Sequence, residues 1–149
     1  MEILTIGHST RGLGGFFSLL KENQVEILID ARHFPHSRHN PQFNKEVLER
    51  VCRANGIAYI WMQGLGGFRK GGYERYSRSQ AFKKEMKELE RAARSKACIM
   101  CSEFNPYKCH RRYIADELKR KGWSVRHILD EKRRESHLIT RKRTIKCDI

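Results

Sequence analysis

Ala97-Cys98-Ile99-Met100-Cys101 is an unbroken apolar run, and the Ser102-Glu103-Phe104-Asn105-Pro106 that follows is a loop punctuated by proline. From about Lys108 to Lys121 the chain carries Ile114 and Leu118 at helical spacing, and Gly122 ends that segment. Ser124 to Leu129 turns strand-like again. Strand, helix and strand in quick succession make a crossover unit, the building block of parallel sheets. The alternation extends back to the N-terminus. Ile3 to Ile6 reads as a strand broken at Gly7, Leu13 to Leu20 as a helix, and Val25 to Ile29 as a strand. Asn44 is placed to cap a helix through Val47, Leu48 and Val51 that stops at Gly56, and Ile57 to Trp61 is the next strand. Ser79 is placed to cap a helix with Phe82, Met86 and Leu89 on one face. The order βαβαβαβαβ predicts one parallel sheet of five strands flanked by helices.

The chain has 149 residues, enough for one domain with a real core. Lys+Arg 31 against Asp+Glu 17 gives a net charge of +14, which draws polyanions and acidic ligands. No apolar run approaches the roughly 18 residues of a membrane span. Recurring short apolar segments argue against wholesale disorder. Glu2 leads straight into a strand, so no signal peptide is expected, and five cysteines, an odd number, suit a reducing cytoplasm. Residues 1–130 are read as the α/β domain. Residues 131–149, with Lys132, Arg133, Arg134, Arg141, Lys142, Arg143 and Lys146, are read as a basic C-terminal tail, either partly disordered or lying on a polyanion.

Parallel sheets bind ligands at the carboxyl ends of their strands. Here those ends are followed by Gly7-His8-Ser9-Thr10, Asp30-Ala31-Arg32, Gly64-Leu65-Gly66-Gly67, Cys101-Ser102-Glu103 and Asp130. Glu103 is a candidate catalytic carboxylate. Cys109-His110 opens a helix, a setting that favours a thiolate. Three readings of this stretch stay open: Cys101 or Cys109 as a nucleophile; Cys101, Cys109 and His110 as ligands of zinc or iron; or buried packing cysteines with Glu103 alone doing chemistry. Cys98 and Cys101 lie three apart in a strand and face opposite sides, which disfavours a four-ligand zinc site. A phosphatase-like Cys-x5-Arg fails, because the sixth residues on are Tyr107 and Ala115.

Asp30 and Arg32 share a face, either as a salt bridge closing a loop or as a carboxylate held ionised for a ligand. His33, His36, Arg38 and His39 lie in a proline-bounded polar loop open to phosphate. His8, Ser9, Thr10 and Arg11 suit an anion at a helix start, and Ser9 or Thr10 as a plain N-cap explains the hydroxyls equally well. The loop from Leu65 to Tyr73 mixes Gly66, Gly67, Phe68 and Tyr73 with Arg69 and Lys70. Stacking surfaces beside phosphate partners suit single strands or an extruded base, and a solvated lid is the alternative.

Taken together, Thr5-Ile-Gly7-His8-Ser9, Asp30-x-Arg32-x-x-Pro35, Pro41-x-Phe43, Leu65-Gly66-Gly67 and Cys101-x-Glu103-x-x-Pro106-x-x-Cys109-His110-Arg111 resemble the domain-of-unknown-function family 488 from Thr5 to about Leu129. The resemblance implies a Rossmann-like α/β domain of three layers with a mostly parallel sheet, and no transferable activity. The Cys-x-Glu to Cys-His-Arg stretch is also similar to one in the nucleoside deoxyribosyltransferase-like group, whose members handle the bond between base and sugar.

The resulting expectation is an enzyme acting on a nucleotide or nucleic-acid base, most concretely by N-glycosidic cleavage. Glu103 or Asp30 would stabilise the sugar cation or activate water, His8, His110 or Arg111 would neutralise the departing base, and Arg11, Arg32 and Arg111 would hold phosphate. Nucleic acid is the expected partner, and the reading requires no cofactor. A non-catalytic nucleic-acid-binding module and a metal- or thiol-dependent enzyme on a small molecule are the alternatives.

Overall fold

The computed structural model describes residues 1–139. In chain order they form β1 (Glu2–Gly7), α1 (Leu13–Glu22), β2 (Ile27–Asp30), α2 (Lys45–Ala54), β3 (Ala58–Trp61), α3 (Tyr73–Ser77), α4 (Gln80–Ala92), β4 (Ala97–Cys101), α5 (Arg111–Arg120), β5 (Ser124–Ile128) and β6 (Arg134–Ser136). The chain is α/β, with one sheet in the order β3-β2-β4-β1-β5-β6. The first five strands are parallel and β6 runs antiparallel to β5.

Strand alternation sorts the core into two layers. Leu4, Ile6, Leu28 and Met100 face one way and pack with Phe16 and Leu20 of α1 and Leu48 of α2. Ile3, Ile29, Ile99 and Val125 face the other way and pack with Phe82, Met86 and Leu89 of α4 and Ile114 and Leu118 of α5. Each such side chain contributes about 1.5–3 kcal/mol on full burial. The three-layer Rossmann-like arrangement follows from that division.

Several boundaries have local causes. Ser79 caps α4 by accepting from the Phe82 N–H at 3.1 Å, as its position predicts. Asn44 sits at the start of α2 but does not cap it; its Oδ1 accepts from Ser37 N–H at 2.8 Å instead, tying down the preceding loop. Strand β2 starts at Ile27 and not Val25, because Gln24 takes a left-handed backbone (φ 58°) and Val25 N–H bonds back to Leu20 C=O to finish α1. Helix α5 starts at Arg111, later than expected, because Pro106–Lys108 forms a separate 3-10 turn capped by Asn105.

Two expectations need correction. The sheet has six strands, not five: residues read as tail add β6, with Ile128 opposite Arg134 and Arg126 opposite Ser136. The remainder of the basic tail, including Arg141, Lys142, Arg143 and Lys146, lies outside the described residues. The loop after Gly72 also holds the short helix α3.

The strand order fixes where a ligand can bind. From β2 the chain moves outward to β3, whereas from β4 it crosses β1 to reach β5. Connections that leave two neighbouring strands in opposite directions open a crevice beyond their carboxyl ends.

Candidate active site

That crevice holds a cavity of about 440 Å³. Four strand ends supply its walls: His8, Ser9 and Thr10 after β1, Arg32 to Phe34 after β2, Gly67 and Phe68 after β3, and Ser102 to Phe104 after β4. His110 closes it from the start of α5. Close approach of these loops depends on two glycines. A Cβ on Gly7 would lie 1.9 Å from the Glu103 carbonyl oxygen, and one on Gly66 would lie 2.4 Å from the His33 nitrogen.

Glu103 is the sole carboxylate among the lining residues. Its Oε1 accepts from the Asn105 N–H at 3.2 Å, which orients the group within its own loop. Around the mouth stand Phe34, Phe68 and Phe104, 59%, 57% and 38% exposed. Phe34 and Phe68 meet edge to face with centroids 5.2 Å apart, a preformed aromatic edge. Ser9 and Phe68 both hold left-handed backbones, φ 49° and 57°, which cost roughly 1–2 kcal/mol for a residue with a side chain. Such strain concentrates where a site fixes its geometry.

The inner wall is polar and buried. Asp30 is fully buried, and Arg32 grips it through Nε at 2.8 Å and Nη2 at 2.7 Å, while the Tyr59 hydroxyl donates to the same carboxylate. Arg32 Nη2 also donates to the Phe43 carbonyl at 2.8 Å. Burial works against the Arg32 charge, but Asp30 outweighs it and raises its pKa. Asp30 is therefore consumed in holding Arg32 and does not line the cavity. Of the two readings of Asp30, the geometry shows the salt bridge with Arg32. Arg32 Nη1 and His110 Nδ1 are buried without a protein partner, and both residues line the cavity. His8 stacks on Phe43 at 4.6 Å, and burial lowers its pKa to about 4.

Behind this wall, Cys101 and Cys109 lie 3.3 Å apart, Sγ to Sγ, both buried. Burial opposes a charge there, yet the Cys101 S–H and Arg111 favour the Cys109 thiolate and pull its pKa below the usual range. Cys98 packs in the layer opposite α5, as strand alternation requires. Arg111 is nearly fully buried and donates to Thr5 Oγ1 at 3.0 Å and to the Glu103 carbonyl at 2.9 Å. It clasps the Glu103 loop from below and is not among the residues that line the cavity. Cys101 and Cys109 likewise lie off the cavity wall. His110 Nε2 is turned to the Ala31 carbonyl at 2.7 Å, away from joint coordination with them. Among the described residues no group of three or more His, Cys, Asp or Glu has the arrangement to hold a metal.

Other expected anion ligands are placed elsewhere. Arg69 spends its guanidinium on the Gly66, Gln63 and Gly64 carbonyls and stacks 4.0 Å over Tyr76, which makes it a staple of its own loop. Tyr73 is buried and donates to Leu65 C=O. Lys70 and Arg38 are exposed and off the cavity wall. Arg11 donates to the Gly7 and Leu129 carbonyls and faces a separate cavity of about 540 Å³ beside Asp130. Asp130 there is paired with Arg133 at 2.7 Å. Helix α1 starts at Leu13 after Gly12, so neither Ser9 nor Thr10 is its N-cap. Phe34, Phe104 and Ser102 were not singled out from the sequence as site residues. A phenylalanine set inside the polar run His33-Phe34-Pro35-His36 was the available signal.

A family model described as Domain of unknown function DUF488 matches residues 13–118, from α1 into α5. That span contains Arg32, the glycine-rich loop and Glu103 through His110, and leaves His8 outside it. No curated protein and no solved structure matches the chain.

Proposed function

The chain belongs to the DUF488 family, whose description names no reaction, and from that premise we propose that it is a hydrolase of the N-glycosidic bond in a nucleotide unit of DNA or RNA. One observation carries the reading: a single carboxylate, Glu103, stands in a cavity whose mouth bears three exposed phenylalanines and whose inner wall bears an unsatisfied Arg32 Nη1. An extruded base stacks on Phe34 and Phe68, as bases do on aromatic side chains in single-strand and base-flipping sites. Glu103 then faces the sugar. Its carboxylate stabilises the developing positive charge and takes a proton from water as the water oxygen bonds to the anomeric carbon. The C–N bond breaks and its electron pair leaves with the base. The net charge of +14 draws the polyanion to the protein before any base is read. The likeness of the Cys101 to Arg111 stretch to the nucleoside deoxyribosyltransferase-like group supports the same chemistry.

Glu103→Gln tests it. The variant keeps the shape and the Asn105 contact but cannot take a proton. Oligonucleotides carrying single damaged or deaminated bases are incubated with each protein, and abasic sites are read as alkali-labile breaks. Turnover falls by about 10²-fold or more in the variant while binding persists. Binding without abasic product from any wild-type reaction overturns the enzyme reading in favour of a nucleic-acid-binding module.

A further inference from the structure

We propose that Cys101 and Cys109 are a redox-active dithiol that hydrogen peroxide converts reversibly to a disulfide, closing the base of the loop that carries Glu103. The pairing is independent of the bond that Glu103 acts on. Cys101 ends β4 and Cys109 stands just before α5, so the pair brackets residues 102–108, the whole of the loop between them. Both cysteines are free and buried, and their sulfurs touch at 3.3 Å. A disulfide needs about 2.05 Å, so a small closure of the loop's ends completes the bond.

Arg111 decides which sulfur reacts. It is 1% exposed, and its guanidinium donates to the Thr5 hydroxyl and to the Glu103 and Phe104 carbonyls. Among the described residues no carboxylate pairs with it, and its Nε is buried without a hydrogen-bond partner. A buried cation left without an anion is costly, and the groups near enough to supply one are the thiols. Hydrogen bonds separate the two. The Arg111 backbone N–H donates to Cys109 Sγ at 3.4 Å, so that sulfur accepts. Cys101 Sγ lies 3.7 Å from the Glu103 carbonyl, and a carbonyl only accepts, so Cys101 keeps its proton. Cys109 is therefore the thiolate and Cys101 the resolving thiol. Burial and the contact with Cys109 also push the Cys101 thiol well above its ordinary range.

The Cys109 thiolate attacks one oxygen of hydrogen peroxide. An S–O bond forms, the O–O bond breaks, and hydroxide leaves and takes the Cys101 proton to become water. The Cys101 sulfur then attacks the Cys109 sulfenic acid. The S–S bond forms, the S–O bond breaks, and the departing hydroxide is protonated by solvent. Each sulfur gives up one electron, and the two peroxide oxygens end as water. Peroxide, uncharged and little larger than water, is the oxidant that suits sulfurs so deeply placed. Cys52 and Cys98 lie in the core layer of α1 and α2, where burial pushes both thiols up to about 12, and they serve as internal controls.

The experiment exposes the full reduced chain to hydrogen peroxide at neutral pH, quenches it in denaturant with iodoacetamide, and maps the tryptic peptides by mass spectrometry. Trypsin cuts after Lys96, Lys108 and Arg111, so the bond joins peptide 97–108 to peptide 109–111, and fragmentation assigns it to Cys101 or Cys98. The expected result is that linked pair through Cys101, with Cys52 and Cys98 alkylated, and its loss on treatment with dithiothreitol. In Cys101→Ser the link is gone and Cys109 stays as a sulfenic acid that dimedone traps. Wild-type protein that keeps Cys101 and Cys109 alkylatable after peroxide overturns the inference. So does a link through Cys98, oxidation of Cys52 or Cys98 ahead of the pair, or sulfinic acid at Cys109 in place of the link.

Discussion

Gly7 ends β1 directly beneath the Glu103 carbonyl, and its missing side chain is what lets the Glu103 loop settle there. With the Cβ position 1.9 Å from backbone oxygen, Gly7→Ala forces the loop outward. Overpacking of this kind costs about 1–3 kcal/mol. We expect a matching fall in the urea midpoint together with reduced turnover, because Glu103 moves with its backbone. An unchanged midpoint would show that the loop does not rest on Gly7. The candidate carboxylate was legible in the sequence because it followed a buried strand and preceded a proline loop. The fate of Asp30 was not, since Asp-x-Arg spacing is compatible with a primed acid and with a closed pair alike. Only the third partner, Tyr59 from the neighbouring strand, and the complete burial of Asp30 separate the two.

The elements behind the site are tied by a buried chain of hydrogen bonds. Arg111 at the start of α5 donates to Thr5 of β1 at 3.0 Å, and the Thr5 hydroxyl meets His127 Nδ1 of β5 at 2.6 Å. His127 Nε2 meets His137 Nδ1 at 2.9 Å just past β6, and His137 Nε2 meets Asp116 of α5 at 2.6 Å. The ends of this chain are fixed, since the Arg111 guanidinium only donates and the Asp116 carboxylate only accepts. Burial, then Arg111 and His137, lower the His127 pKa from 6.5 to about 3, and burial lowers His8 to about 4. Both folded values lie below the unfolded one. Between pH 6.5 and the folded values the unfolded chain therefore binds more protons, and stability falls as pH falls. It is full above about 6.5, and each histidine removes up to about 1.4 kcal/mol per pH unit below that. Denaturant midpoints at pH 7.5, 6.0 and 5.0 should descend in order, with His127→Gln reducing the slope; equal midpoints at all three would contradict the network. Strand β6 escaped the sequence reading because Arg134-Glu135-Ser136 has no apolar alternation. An edge strand needs none, since its pairing with β5 and the anchoring of His137 hold it.

For the molecule as a whole, the alternation of buried strands and amphipathic helices was readable because burial on both faces leaves continuous apolar runs. Strand order was not, because periodicity records which faces are covered and not which neighbour a strand finds. The placement of β4 between β2 and β1 opens the crevice and brings four strand ends around one cavity. The fifth, at Asp130, faces a different one. No helix of the described residues is long and apolar enough to cross a membrane. The most direct test is a crystal structure of Glu103→Gln with a uracil-containing oligonucleotide. The expected result is a uracil turned out of its strand, stacked at Phe34 and Phe68, with a carbonyl oxygen in hydrogen-bond distance of Arg32 Nη1 and the anomeric carbon facing residue 103. An oligonucleotide bound elsewhere, with all its bases outside this cavity, would contradict it.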